Sequence, residues 1–292
     1  WSKSIPEIHI AGDDDQAIYV WGGADPQGMV KFETEHGGSR LILDQSHRVP
    51  KSVHPMASEL ISRVTNRVEK VYKHKDLEGR VSFFNNLNHL EIDPEEDTLI
   101  LFRNHSIRKE LEEILIQRLV PFVVDTGKPG LLGSPKARAI QVFIDIKKAT
   151  DTDLSKLSDT KLTLLQKYLN FRAKAVFEKN DLASFQAFEW HEAFFLKFAE
   201  REYFEAMLHK FGTLEIEDPP VHLSTIHGSK GREAHRVILL NGMGGLTATN
   251  FARDPDSEYR TFYVGITRTK AVLDIVQTDR GIQIDFKGFG NV

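Results

Sequence analysis

The sequence predicts an α/β fold with a mainly parallel sheet covered by helices on both faces. Three observations carry this. The run Leu99-Ile100-Leu101-Phe102 is continuously apolar, as a strand buried on both faces requires. Val53, Met56, Ala57, Leu60, Ile61 and Val64 recur at the spacing of one helix face. Short apolar runs then return near the end of the chain, at 221–225, 237–240 and 271–276.

Taken in order, residues 8–11 read as a strand stopped by Gly12, and the helix around 53–64 follows, with Pro50 just before or within its first turn. Residues 98–102 form the next strand. Ser106 is placed to cap a helix whose inner face is Ile107, Leu111, Ile114 and Leu115. Residues 121–124 are a short strand. The segment 136–212 shows only helical periodicity and holds 10 of the 19 Phe, with 13 basic against 11 acidic residues. Its Phe stripe, including Phe185, Phe188, Phe194, Phe195 and Phe198, suits a small helical core, and stacking against bases is the sharper reading. Asp218-Pro219-Pro220 breaks the helical run, and strands at 221–225 and 237–240, a helix over 257–267 and a strand at 271–276 complete the sheet.

The chain has 292 residues, enough for roughly two domains, with 40% hydrophobic and 27% charged residues. This composition excludes a disordered or fibrous chain. No apolar run is long enough for a membrane helix, and no signal-peptide pattern is present. Cysteine is absent, which excludes Cys-ligated zinc and suits a reducing cytoplasm. The net charge of −4 means that any nucleic-acid contact must come from a local surface. The first residue is Trp, so a fragment or processed product is expected.

Chemistry concentrates in four places. In Gly12-Asp13-Asp14-Asp15-Gln16-Ala17-Ile18-Tyr19-Val20-Trp21-Gly22-Gly23-Ala24 the adjacent carboxylates diverge, so a capped loop with solvated carboxylates is expected and no metal site. Gln16 suits a phosphate oxygen or an attacking water. Trp21 is either core or a stacking platform. Arg48, in Leu43-Asp44-Gln45-Ser46-His47-Arg48, offers a bidentate guanidinium. Lys230, in a Gly-flanked loop after the strand at 221–225, is a phosphate candidate. Arg268 closes the helix over 257–267.

These four runs, in this order, resemble motifs III, IV, V and VI of the UvrD/Rep/PcrA family of superfamily 1 DNA helicases. The resemblance implies a RecA-like fold of the P-loop NTPase type and an ATP-dependent 3′ to 5′ helicase or translocase on single-stranded DNA, a DNA repair-type activity. It implies that Gln16, Arg48 and Arg268 act on the γ-phosphate, with Arg268 as arginine finger. His47 stands where the family has an adenine-stacking Tyr, and Ser46 where it has Asn. Glu233 would hold the ribose. Trp21, Thr225, His227 and Lys230 would lie against DNA. Gly265 and Thr269 replace two Ala of motif VI.

The phosphate loop G-x-x-x-x-G-K-[ST] and the acidic magnesium motif are absent from the 292 residues. ATP and Mg2+ are therefore cofactors of a complete enzyme whose metal ligands lie elsewhere, and this chain alone is expected to be inactive. The expected organisation is a tail of a first RecA-like domain over 1–40, a second RecA-like domain over 41–135 and 213–292, and a helical insertion over 136–212. The remaining first domain and single-stranded DNA are the expected partners. The alternative is a non-catalytic, helicase-derived module that binds single-stranded DNA or a protein.

Overall fold

The computed structural model describes residues 7–149, 154, 157–279 and 281–289, the side chains of Trp21, Met29 and Val30 excepted. The chain divides into two compact units. One comprises Trp1–Ile92, Glu96–Ser106 and Leu223–Val292, and the other Asp93–Glu95 and Ile107–His222.

Six strands form the sheet: β1 (Arg80–Phe84), β2 (Thr98–Phe102), β3 (Phe122–Val124), β4 (Val221–Thr225), β5 (Ala234–Asn241) and β6 (Thr269–Gln277). Their order is β1-β6-β5-β2-β4-β3. The pairs β1–β6, β2–β5 and β5–β6 are parallel, with Leu99 opposite Val237 and Leu239 opposite Ile275. Every residue of β2 is buried, which accounts for its unbroken apolar run.

In the first unit, α1 (Pro26–His36) starts with Pro26 after the Asp25 cap and ends on Gly37 in the left-handed region. Helix α2 (His54–Ser62) buries Met56, Ala57, Leu60 and Ile61, the face that the spacing predicts. Its first-turn proline is Pro55, and Pro50 lies in the loop before it. Helices α10 (Gly245–Arg253) and α11 (Asp256–Ile266) follow β5. The core joins Val53, the N-cap of α2, and Leu60 of α2 with Phe262, Val264 and Ile266 of α11 and with Leu101, Leu239 and Ile275 of the sheet. At Gly265 a side chain would meet Leu239 Cδ1 at 3.3 Å and Ile226 Cγ2 at 3.4 Å, so the missing methyl of motif VI lets α11 lie close on the sheet.

The second unit holds α3 (Arg108–Gln117), β3, α4 (Pro135–Lys148), α5 (Asp159–Tyr168), α6 (Phe171–Glu178), α7 (Leu182–Gln186), α8 (Trp190–Ala193) and α9 (Phe198–Phe211). Over the described residues of 136–212 no strand forms, as the periodicity predicts. Phe143, Phe177, Phe185, Phe194 and Phe204 pack its core.

Three expectations are corrected. Residues 8–11 form no strand: Ile8 and Ile10 are 38% and 53% exposed, with no neighbouring strand to pair with among the described residues. Ser106 caps no helix, because a 3-10 turn (His105–Ile107) precedes α3 and moves its N-cap to Ile107. Leu111 and Leu115 form the buried face of α3, while Ile107 and Ile114 are half-buried.

Candidate functional site

Every residue singled out in the four motifs falls in the first unit. The loop 12–16 is built around its three carboxylates. Asp13 caps the 3-10 turn Asp14–Gln16 by accepting from the Asp15 N–H at 3.1 Å. The expectation of solvated carboxylates is corrected for the other two: Asp14 and Asp15 are 4% and 2% exposed. Arg67 donates to both oxygens of Asp15 at 2.8 Å, and Lys70 binds Asp14 and lies 3.0 Å from Asp15. Burial works to raise the Asp14 pKa, but the Lys70 hydrogen bond and the Val68 N–H overcome it, and the net direction is down. Burial likewise works to lower the Lys70 pKa, and its hydrogen bonds to Asp14 and Asp15 carry it above the usual lysine value.

This anchored turn holds Gln16. Its amide donates to Asp13 Oδ2 at 2.6 Å, and its Oε1 accepts from Arg268 Nη2 at 3.0 Å. Arg268 follows the C-terminus of α11, where free helix carbonyls receive it. Its Nε donates to the Val264 carbonyl at 2.9 Å and its Nη1 to the Arg232 carbonyl at 3.3 Å. Those bonds use three of five guanidinium donors. Arg268 is 2% exposed, and burial, followed by the nearby Arg48 charge, lowers its pKa to about 10, so it stays charged at neutral pH.

Arg48 is positioned from two sides. Ser46 Oγ accepts from the Val49 N–H at 3.1 Å and turns the chain, and Arg48 Nε donates to the Thr267 carbonyl beside Arg268. Glu233 lies 3.7 Å from Arg48 and 3.0 Å from Lys270, and the Lys270 hydrogen bond holds its carboxyl below the usual range. His47 is exposed. Thus Gln16, Arg48, Glu233 and Arg268 come together, with Glu233 and Arg268 immediately before β5 and β6, at the strands' N-terminal ends.

Thr225 ends β4, at the opposite strand end, and opens the loop to Glu233. The Gly228 N–H donates to Thr225 Oγ1 at 3.0 Å, and Gly231 takes a positive φ of 92°. This loop bonds back to the Gln16 loop in three places. Tyr19 Oη donates to the His227 carbonyl at 2.8 Å, His227 Nε2 lies 3.1 Å from the Ile18 carbonyl, and Lys230 Nζ donates to the Gln16 carbonyl at 2.9 Å. Lys230 also stands 5.6 Å from the Tyr19 ring centre. Burial, then Arg103, pushes the His227 pKa down, favouring a neutral ring. The Trp21 side chain lies outside the described residues.

Sequence reasoning missed the groups that hold this site. Arg103 grips Glu258 through two bonds of 2.7 Å, and Asp256 Oδ2 accepts from the Thr65 N–H at 3.0 Å and its hydroxyl at 2.8 Å. Arg260, 3% exposed, donates to the Asp14 carbonyl at 3.1 Å. The available signal was a set of charged residues on an otherwise buried helix. Among the described residues, no cluster of His, Asp or Glu is arranged to hold a metal ion, and no helix is long and apolar enough to cross a membrane.

The parallel α/β sheet, with two arginines, a glutamine and a glutamate gathered beside a glycine-flanked loop, is consistent with a RecA-like helicase domain. Residues 138–280 match the UvrD-like helicase C-terminal domain family. DNA helicase II of Haemophilus influenzae is 28% identical over 137 residues, which cover 41% of this chain and 19% of that protein. DNA helicase II of Escherichia coli is 28% identical over 138 residues, again 41% and 19%. The ATP-dependent DNA helicase PcrA of Bacillus subtilis is 31% identical over 85 residues, 28% of this chain and 12% of that protein. The matches span about a fifth or less of these relatives. The chain contains a UvrD/PcrA-like C-terminal helicase region.

Proposed function

We propose that this chain is the C-terminal motor part of an ATP-dependent DNA helicase or translocase moving 3′ to 5′ on single-stranded DNA. The observation that carries the reading is the convergence of Arg268, Arg48 and Gln16. Two guanidinium groups are brought together at a cost in repulsion, and an anion between them relieves it. Their donor chemistry fits a triphosphate, and Glu233 fits the ribose. ATP with Mg2+ supplies the transferable phosphoryl group. Arg268 stabilises charge on that group, Gln16 orients the attacking water, and Arg48 holds the γ-phosphate.

The bonds from Tyr19, His227 and Lys230 between the two loops support coupling of the phosphate site to a DNA site formed by Thr225, His227, Lys230 and Trp21. The 292 residues hold neither a phosphate loop nor an acidic motif, so they hydrolyse no ATP alone. The test measures ATP turnover with and without single-stranded DNA, by this chain and by a polypeptide joining it to a phosphate-loop domain. DNA-stimulated turnover in the joined form only is expected. Displacement of a protein block from one strand end reports polarity. Turnover in neither form refutes the motor reading and leaves a non-catalytic module.

A further inference from the structure

The Phe stripe of the helical unit splits in two. Phe143, Phe177, Phe185, Phe194 and Phe204 complete the core, each less than a tenth exposed. Phe171, Phe195 and Phe198 are left at 73%, 65% and 79% exposure. They lie close together in the chain fold. Leu169 and Phe194 form an antiparallel bridge, and the Asn170 N–H donates to the Ala193 carbonyl at 2.8 Å. Phe171 opens α6 beside that contact, Phe195 follows it directly, and Phe198 opens α9 three residues on. A core finished without these rings gives no reason to order them outward.

The charge beside Phe171 is one-sided, and that beside Phe195 and Phe198 is mixed. Residues 160–177 hold four basic and no acidic side chains. Lys167, Arg172 and Lys197 are exposed, and none has a carboxylate within ion-pair reach among the described residues. Of the nearby carboxylates, Glu178 pairs with Lys174, Glu200 with Lys136 and Glu189 with Lys147, while Glu192 and Glu202 are exposed with no ion pair among the described residues.

We infer that Phe171, Phe195 and Phe198, flanked by Lys167, Arg172 and Lys197, form a second surface for single-stranded nucleic acid, with rings stacking on bases and cations following the phosphates. Exposed aromatics amid unpaired cations match a polyanion whose bases offer flat faces. An apolar protein helix would gain nothing from the cations. The inference rests on the DNA-binding reading above and places a contact outside the motif loops.

The test is fluorescence anisotropy of the full chain with a labelled oligothymidylate and an abasic strand of equal length. Wild type should prefer the base-bearing strand. Each of Phe171→Ala, Phe195→Ala and Phe198→Ala should weaken binding about fivefold or more, and the triple variant should lose the preference. Changing Lys167, Arg172 and Lys197 to Gln should flatten the salt dependence by about two units of log–log slope. Unchanged circular dichroism certifies folding, because the rings are outside the core. A Thr225→Ala/His227→Gln variant reports the motif-loop site separately. If that variant loses affinity while the triple Phe variant keeps affinity and base preference, this inference alone falls. If wild type binds neither strand, both readings fall. If the Phe changes alter sedimentation but not oligothymidylate affinity, the surface pairs two copies of the chain and the inference is overturned.

Discussion

Replacing Arg67 with Met tests how the Gln16 loop is held. Asp15 is 2% exposed and receives both Arg67 bonds at 2.8 Å, so the substitution deletes its bidentate partner without opening a large cavity. Breaking a buried pair from one side costs about 3–5 kcal/mol, because the surviving charge is stranded. Lys70 remains 3.0 Å from Asp15 but also serves Asp14 and stands 3.4 Å from Asp13, so it offsets only part of the loss. The expected cost is therefore near the lower bound, about 3 kcal/mol. Urea unfolding at constant slope measures it. Arg67→Met/Asp15→Asn removes the stranded charge as well and should recover about 1 kcal/mol or more of the loss. A single-variant cost below about 0.5 kcal/mol, or two costs that simply add, would refute the anchoring argument.

Other outcomes follow from the same geometry. Arg103→Met should destabilise more than Arg103→Met/Glu258→Gln, since Glu258 is 4% exposed and accepts both Arg103 bonds; thermal melts of the two variants decide it. The lowered His227 pKa stabilises the fold above the unfolded value of about 6.5, and that contribution is lost as pH falls through the folded pKa. His227→Gln should flatten this slope in unfolding curves taken from pH 7 downward. The depressed Asp14 carboxyl contributes above about pH 4 and is lost in acid, whereas the raised Lys70 contributes below about pH 10 and is lost in stronger base. Gly79→Ala should cost at least about 1 kcal/mol in urea unfolding, because φ is +71° and the new Cβ would meet Ala271 O at 2.8 Å.

What the sequence disclosed depends on whether the deciding interaction is local. The α2 face and the apolar run of β2 are written in neighbouring residues, and both appear as expected. β1 escaped because Arg80–Phe84 is a half-exposed edge strand, settled by its pairing with β6 rather than by its own pattern. The run at 8–11 has strand composition and no partner strand among the described residues. The Asp triplet looked solvated because its cations, Arg67 and Lys70, lie more than fifty residues away in sequence. Gln16, Arg48, Glu233 and Arg268 were singled out through the resemblance of their motifs to a helicase family, but nothing in that resemblance indicated that Lys230 reaches the Gln16 carbonyl. The Phe stripe divides between core and surface, a division that helical spacing alone does not make.

The central claim is that Arg268 acts on the transferring phosphoryl group. The most direct measurement compares DNA-stimulated kcat and KM for ATP between wild type and Arg268→Lys, in a polypeptide joining this chain to a phosphate-loop domain. Lysine keeps the charge but not the fork that reaches Gln16 Oε1 and the Val264 carbonyl. The account predicts a fall in kcat of about 10³-fold or more with KM nearly unchanged. A kcat within a few-fold of wild type, in a variant that still folds and binds DNA, would contradict it.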